Sequence, residues 1–507
     1  MAQPPAGGRT GDEQAQSRFQ LYVLAAIVVL GVVVRFQGLA AESLWEDEIA
    51  AVEIARHPLA LLWSGWMVRE TNPPLYYSIL HFWMAAFGES EFAVRSLSAL
   101  LGSAAIGLFY LLGRRIASWQ VGLASALLAA LWSHQVYFSQ EARGYILGAC
   151  GALVALIGLV RICDGLRQTT DASSPWPWLM YFGGSLVALY VHTTHVLLPF
   201  LANVYFAWLW LYRRPRPVRP MLVWIGVNAA LVAAWAWWGW ITYLQLQHTD
   251  VNISWIIKPS LYDALNIITV AYGPTGVTYD NTPLRFALQL GAAPLLMAAA
   301  AWGAFRLGLE RAVLLAVFGV GAPLIIFLVS QSTPIMLPRV FLWVQFAVII
   351  GLAAAMADPA VRRLALPIGL AVIVVLTLGR TVQDPKQPWR ELLTELNRRA
   401  APGELVFVTG AGVLVQHYCD QIHCRFHTID IYQPNDAGRW TQGIFRGPRP
   451  TPSEVAPFLA GKAKVWSITH GTEDPTALLA PYAKPLPTPF DAKLPTTMKV
   501  TAWSPTR

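Results

Sequence analysis

Four carboxylates fall within seven residues in Glu42-Ser43-Leu44-Trp45-Glu46-Asp47-Glu48, directly after the first long apolar stretch of the chain. Carboxylates beside a membrane-length apolar segment are costly unless they are solvated or put to use. A carboxylate can serve as the general base that takes a proton from an attacking hydroxyl. If the leaving group gains negative charge, cations must stand where that charge develops. The other polar residues able to do chemistry are few. Asn72 follows in the same loop, and Glu141, Arg143 and Tyr145 come from Gln140-Glu141-Ala142-Arg143-Gly144-Tyr145. His192, His195, His248, Asp250, Lys258 and Arg339 complete the set, and Lys258 is the only lysine before residue 386.

The elements that must position these groups are apolar. The chain has 507 residues, 55% hydrophobic and 13% charged, with a mean hydropathy of +0.45. Soluble domains carry about 25% charged residues, so the composition is that of an integral membrane protein. The 22 Trp and 17 Tyr suit interfacial belts. The net charge of +8 comes largely from Arg clusters in short loops between apolar segments. That pattern is the positive-inside signal of a polytopic protein and not a nucleic-acid footprint.

Segments near 19–38, 96–113, 119–138, 144–162, 177–191, 195–212, 220–243, 285–305, 312–330, 339–357 and 364–380 read as about eleven transmembrane helices, some of them short. Residues 1–18 form a cytoplasmic tail. The clusters at Arg114-Arg115, Arg161 with Arg167, Arg213-Arg214 with Arg216 and Arg219, Arg306 with Arg311, and Arg362-Arg363 then share the cytoplasmic side. Parity puts residues 39–95 outside as one large loop, with 73–87 an amphipathic helix in the outer interface. The chemical residues named above collect on that same outer side. No cleavable signal peptide is evident.

Residues 381–507 change character, with more Pro and six of the seven lysines. Residues 389–397 read as an amphipathic helix, and 404–409, 426–430, 465–469 and 498–503 as strands. Helix and strand in alternation predict a small α/β domain outside the cytoplasm. Cys419 and Cys424 in this tail are open to three readings: a disulfide, two free thiols, or a zinc site with His417, His423 or His427. Cys150 and Cys163 read as inert apolar fillers.

Trp45-Glu46-Asp47-Glu48, then Asn72-Pro73-Pro74-Leu75-Tyr76-Tyr77, then Ser139-Gln140-Glu141-Ala142-Arg143-Gly144-Tyr145, resembles the bacterial members of the protein O-mannosyltransferase and aminoarabinose transferase superfamily. These are GT-C fold, family-39-like glycosyltransferases. Leu189-Tyr190-Val191-His192 is similar to a Leu-Tyr-Thr-His element of that group, with Val191 in place of Thr. Leu337-Pro338-Arg339-Val340 stands where the group often has Arg-Tyr-Leu, and Pro388-Trp389-Arg390 is a weaker similarity. The likeness covers residues 19–380.

The resemblance implies a sugar transfer from a polyprenyl-phosphate carrier to an envelope lipid, polysaccharide or protein, on the non-cytoplasmic face and with inversion. It implies Asp47 as the base with Glu48 beside it. Arg143, Lys258 and Arg339 would hold the donor phosphate, and Asn72, Glu141, Tyr145 and His192 would contact substrate. No cofactor is called for, and dependence on a divalent cation stays open. The implied location is a bacterial inner membrane, with residues 381–507 periplasmic.

The same residues have plainer readings. Asp47 could cap a helix, Pro73-Pro74 could start one, and Glu141 with Arg143 could be an ion pair. Tyr145 could be an interface anchor, and Lys258 and Arg339 could snorkel. The competing function is a transporter or flippase of lipid-linked sugars. Such proteins favour inverted repeats and mid-membrane sites, and no repeat is visible here.

Overall fold

The computed structural model describes residues 11–166, 174–214, 216–247, 256–275, 283–360, 365–381, 386–408, 411–430, 451–470, 474–487 and 498–506. His248, Asp250, Arg167, Arg362 and Arg363 lie outside the described residues. The chain separates into two compact units. One comprises Met1–Gln37, Arg95–Trp240 and Trp255–Asp384, the other Gly38–Val94, Ile241–Ser254 and Pro385–Arg507.

The first unit is a helical bundle. Among the described residues, seven helices are long and apolar enough to cross a membrane, and nine if each bent pair counts as one span. Helices occupy the other two predicted segments as well, Trp176–Leu189 and Ala365–Thr381, with 14 and 17 residues. Such lengths fall short of a ~30 Å hydrocarbon core at 1.5 Å per residue. The span 119–138 is broken: Trp119–Leu131 and Ser133–Ser139 meet at 58°. The span 339–357 is broken too, with Pro338–Val344 and Phe346–Ala357 at 53°.

A break frees carbonyls that the bilayer cannot satisfy. Arg35, on the first helix and 1% exposed, meets them at the first break. Its guanidinium donates to Ala129 O at 3.0 Å, Ala130 O at 3.1 Å and Ser139 Oγ at 3.1 Å. It caps the carboxyl end of Trp119–Leu131, where the helix dipole favours a cation. At the second break, Gln345 Nε2 donates to Ala271 O at 2.6 Å, and Gln135 Nε2 donates to Gln345 Oε1 at 2.8 Å. Arg35→Met is expected to destabilise the bundle by about 2–5 kcal/mol, from orphaned carbonyls and a lost hydroxyl partner. A thermal melt in detergent, several degrees below wild type, would show it.

One end of the bundle carries an ion-pair network. Asp164 binds Arg115 at 3.0 Å and Arg311 at 2.5 Å. Glu310 binds Arg213 Nε at 2.8 Å and Nη2 at 2.5 Å. The loops carrying Arg115, Asp164, Arg213 and Arg311, which the arginine pattern assigns to one membrane side, therefore meet.

The helices Tyr145–Gly165 and Trp176–Leu189 pack with almost no space between them. A Cβ on Gly151 would lie 2.8 Å from Gly184 O, one on Gly184 2.5 Å from Gly151 O, and one on Gly158 2.5 Å from Tyr181 N. Small residues permit this backbone approach, as in membrane helix pairs generally.

The second unit joins residues 38–94 to the tail. The tail holds a five-stranded sheet: β1 (Leu405–Val408), β2 (His427–Asp430), β3 (Val465–His470), β4 (Ala483–Leu486) and β5 (Met498–Pro505), in the order β2-β1-β3-β5-β4. β1 is parallel to β2 and β3, whereas β5 is antiparallel to β3 and β4. Trp503, Phe407, Val465, Leu459 and Leu479 form its core. Four elements escaped the sequence reading: β4, whose Pro485 suits only an edge strand, and the helices Gly412–Ile422, Pro452–Leu459 and Thr476–Leu479. Cys419 and Cys424 are bonded to each other, with Cα atoms 4.8 Å apart. Residues 75–87 form one 13-residue helix.

Candidate functional site

In the helical unit, two of the three residues predicted to hold an anion, Arg143 and Arg339, gather at one end. Tyr145 begins the helix Tyr145–Gly165, whose far end carries Asp164. Its 21 residues put about 30 Å between the ion-pair network and this second cluster. Tyr145 is 5% exposed, so it is a core residue and not an interface anchor. Its ring lies 5.7 Å from the Arg143 guanidinium carbon and 5.9 Å from that of Arg339. Both distances suit a cation–π contact. Arg143 is buried, and its backbone is fixed by Glu141 O at 2.8 Å and by Ser98 Oγ, which donates to Arg143 O at 3.3 Å. Glu141 is fully buried in the same turn. Arg339 leads the short helix Pro338–Val344 of the second broken span.

His192 completes the cluster, with its ring centroid 5.8 Å from Tyr145 and 5.8 Å from His195. Desolvation by the bundle, then His195 and the charges of Arg339 and Arg143, hold its pKa well below the usual histidine value. It is therefore neutral. Its Nδ1 accepts from Thr194 N at 3.2 Å, with Thr194 Oγ1 at 2.9 Å. The proton then sits on Nε2, which makes that nitrogen a donor. Two guanidinium groups and a neutral imidazole N–H around one ring make a cluster of donors and positive charge whose chemistry suits an anion. Lys258 stands elsewhere in this unit. It is exposed in the turn before Leu261–Tyr272 and does not join the cluster.

In the second unit, the helix Glu46–Ala55 opens on three acids, Glu46, Asp47 and Glu48. Negative charge is favoured at a helix amino end. Asp47 is partly exposed, whereas Glu48 is fully buried. Glu48 Oε2 accepts from Trp45 N at 3.3 Å, closing the first turn, and pairs with Lys386 Nζ at 3.1 Å. The preceding loop is held from the tail. Leu44 N donates to the Tyr418 hydroxyl at 2.6 Å, and Ser43 Oγ donates to Glu391 Oε2 at 2.8 Å. Arg390 reaches Glu91 at 2.9 Å.

Asn72 is buried, and its side chain donates to Glu70 Oε1 at 3.0 Å, as does the Tyr77 hydroxyl at 3.0 Å. Two residues of the Asn-Pro-Pro-Leu-Tyr-Tyr motif thus share one carboxylate. Farther along the helix Glu46–Ala55, Glu53 meets His417 at 3.1 Å and Arg56 at 2.5 Å. Burial pushes the Glu53 carboxyl up, but hydrogen bonds and charge from His417 and Arg56 outweigh it and hold it below the usual range. Glu391 is also held low, where the Arg390 and Ser43 hydrogen bonds overcome its burial.

Glu70, Lys386 and Tyr418 were missed by the sequence reading. Lys386 follows the last apolar segment without any motif. Only its rarity, as one of seven lysines in the chain, could have drawn attention to it. Among the described residues, no group of three His, Cys, Asp or Glu is arranged to hold a metal ion.

No protein-family model and no curated protein sequence matches the chain. Solved structures do. ArnT from Cupriavidus metallidurans bound to undecaprenyl phosphate aligns with a TM-score of 0.56 at 14% identity, over 94% of this chain and 97% of that one. Its apo state gives 0.55 at 14%, over 96% and 98%. The archaeal oligosaccharyltransferase AglB from Archaeoglobus fulgidus, in complex with an inhibitory peptide and a dolichol phosphate, gives 0.52 at 13%, over 89% and 69%. These neighbours are GT-C fold glycosyltransferases. The chain has that fold: a polytopic, mainly α membrane protein with a small α/β domain at its carboxyl end.

Proposed function

We propose that the chain is a membrane glycosyltransferase that moves a sugar from a polyprenyl-phosphate carrier to an acceptor at the non-cytoplasmic face of a bacterial inner membrane. The observation that carries this reading is the pair of guanidinium groups, Arg143 and Arg339, flanking Tyr145 beside a neutral His192. Such a cluster suits a phosphate ester, which guanidinium grips in two-pronged fashion. The neighbours supply the chemical kind, since undecaprenyl phosphate and dolichol phosphate are bound in the two named complexes.

In the proposed reaction Asp47 takes the acceptor's proton as its nucleophilic atom, a hydroxyl oxygen for example, bonds to the anomeric carbon. The bond from that carbon to the phosphate oxygen breaks, and polyprenyl phosphate leaves with one more negative charge. Direct displacement inverts the anomeric centre. The phosphate needs no protonation to leave, so one base suffices, unlike the carboxylate pair of hydrolases. Arg143 and Arg339 stabilise the growing phosphate charge, while Lys258, exposed and apart from them, has no part in this step. Glu48 supports Asp47, and Asn72, Glu141, Tyr145 and His192 shape the substrate site. No cofactor enters this scheme.

A second reading, a transporter of lipid-linked sugars, draws on the two broken helices joined through Gln135 and Gln345, since broken helices line transporter sites. Turnover separates the two. The purified protein would be given undecaprenyl-phosphate-linked sugars with an envelope extract as acceptor. The enzyme is expected to release one undecaprenyl phosphate per sugar transferred, whereas a transporter would leave the donor bond intact.

A further inference from the structure

We propose that Lys386 is a positioning residue for the transfer: it fixes the first turn of the helix Glu46–Ala55, and with it the Asp47 carboxylate, by neutralising buried Glu48. The inference rests on the base role proposed for Asp47. Glu48 is 0% exposed at its side chain and Lys386 8%. A carboxylate so buried needs a partner. Its oxygen Oε2 meets both the Lys386 ammonium at 3.1 Å and the Trp45 amide at 3.3 Å. The same atom therefore closes the helix turn and holds the tail. Asp47 lies in that turn, next in sequence to Glu48.

Lys386 does not act through its side chain alone. Its main-chain N–H donates to Glu42 Oε1 at 3.3 Å. The residues after it continue along the loop, with Arg390 N donating to Ser43 Oγ at 3.1 Å and Glu391 accepting from the same hydroxyl. On its other side the segment is moored to the sheet. His470, the last residue of β3, contacts Gln387 Oε1 through Nε2 at 2.8 Å and packs 5.2 Å from the Trp389 ring. A continuous line of contacts thus runs from β3 through Gln387 and Lys386 to Glu48. The tail is the mount of the acidic turn, a role that its own sequence does not announce.

The test uses full-length protein in detergent. Lys386→Met is expected to speed amide hydrogen exchange at residues 46–49 at least tenfold, and Lys386→Arg to restore it. With an undecaprenyl-phosphate-linked sugar that wild type turns over, Lys386→Met should lower kcat tenfold or more and leave the donor KM within twofold. Lys386→Arg should recover most of the rate. Should the Met variant fail to fold, Lys386→Gln, which keeps a donor without the charge, carries the same expectation. Wild-type exchange and kcat in the Met variant would overturn the proposal, as would failure of Arg to rescue. If wild type turned over no donor, the transferase reading would be at fault, and the exchange data would still decide whether Lys386 holds the turn.

Discussion

Asparagine in place of Asp47 is expected to slow sugar transfer by about 10²- to 10⁴-fold, the usual worth of a positioned general base. The change keeps the side chain's size and removes its basicity. Asp47 is partly exposed on a first helical turn, so the amide is not forced into a dry pocket and the fold should hold. The expected signature is a loss of kcat with an unchanged melting temperature. Glu48→Gln should behave differently. It leaves the Lys386 ammonium, 8% exposed, facing a neutral amide in place of a carboxylate. Both stability and rate should then fall, because removing one member of a buried ion pair is costly. Retention of more than a tenth of wild-type kcat in Asp47→Asn would remove Asp47 from the base role. Steady-state release of polyprenyl phosphate, beside a thermal melt, measures both quantities.

The second large effect is expected at the arginine pair. Arg143→Met and Arg339→Met should each lower kcat about 10²- to 10³-fold, the range for losing one donor to a developing oxyanion. Both stand within 6 Å of the Tyr145 ring. If they serve one phosphate, the double substitution should cost less than the product of the two single losses. Lysine at either position should recover only part of the rate, because an ammonium offers a point charge and not a planar fork. Lys258→Ala, at an exposed position, should cost less than either arginine. Near-wild-type kcat in both single Arg variants would separate this cluster from the chemistry. A donor titration for each variant gives kcat and KM separately.

The bundle was legible because its helices are written in runs of apolar residues, and period and length survive any tertiary detail. Arginine loops were legible for a similar reason, and Arg115, Arg213 and Arg311 do converge on Asp164 and Glu310. Arg143, Tyr145, His192 and Arg339 could be named as separate groups, but not as neighbours, since their meeting depends on how three segments pack. Arg35 gave no separate signal, because an arginine near the end of a span reads as an ordinary flank until the break it caps is seen. The acids at 46–48 announced themselves. Lys386 did not, because its partner lies 338 residues away and no local pattern encodes that pairing. β4 was hidden by its proline, and the helix Gly412–Ile422 by its mixed composition.

The contact between Tyr145–Gly165 and Trp176–Leu189 carries a consequence for energetics. With Gly151 and Gly184 backbone to backbone, the two helices have little freedom to slide and behave as a single stiff hairpin. Arg143 precedes one arm and His192 follows the other. The ordering entropy of the anion holder is then spent during folding and not at each encounter with a lipid. Under the proposed function, an arriving phosphate would find the backbone of its receptor already assembled, so more of the contact energy would appear as affinity or rate. The added methyl of alanine at Gly151 or Gly184 would loosen that hairpin, and its effect would be felt at the arginine–histidine end without altering a single charged group.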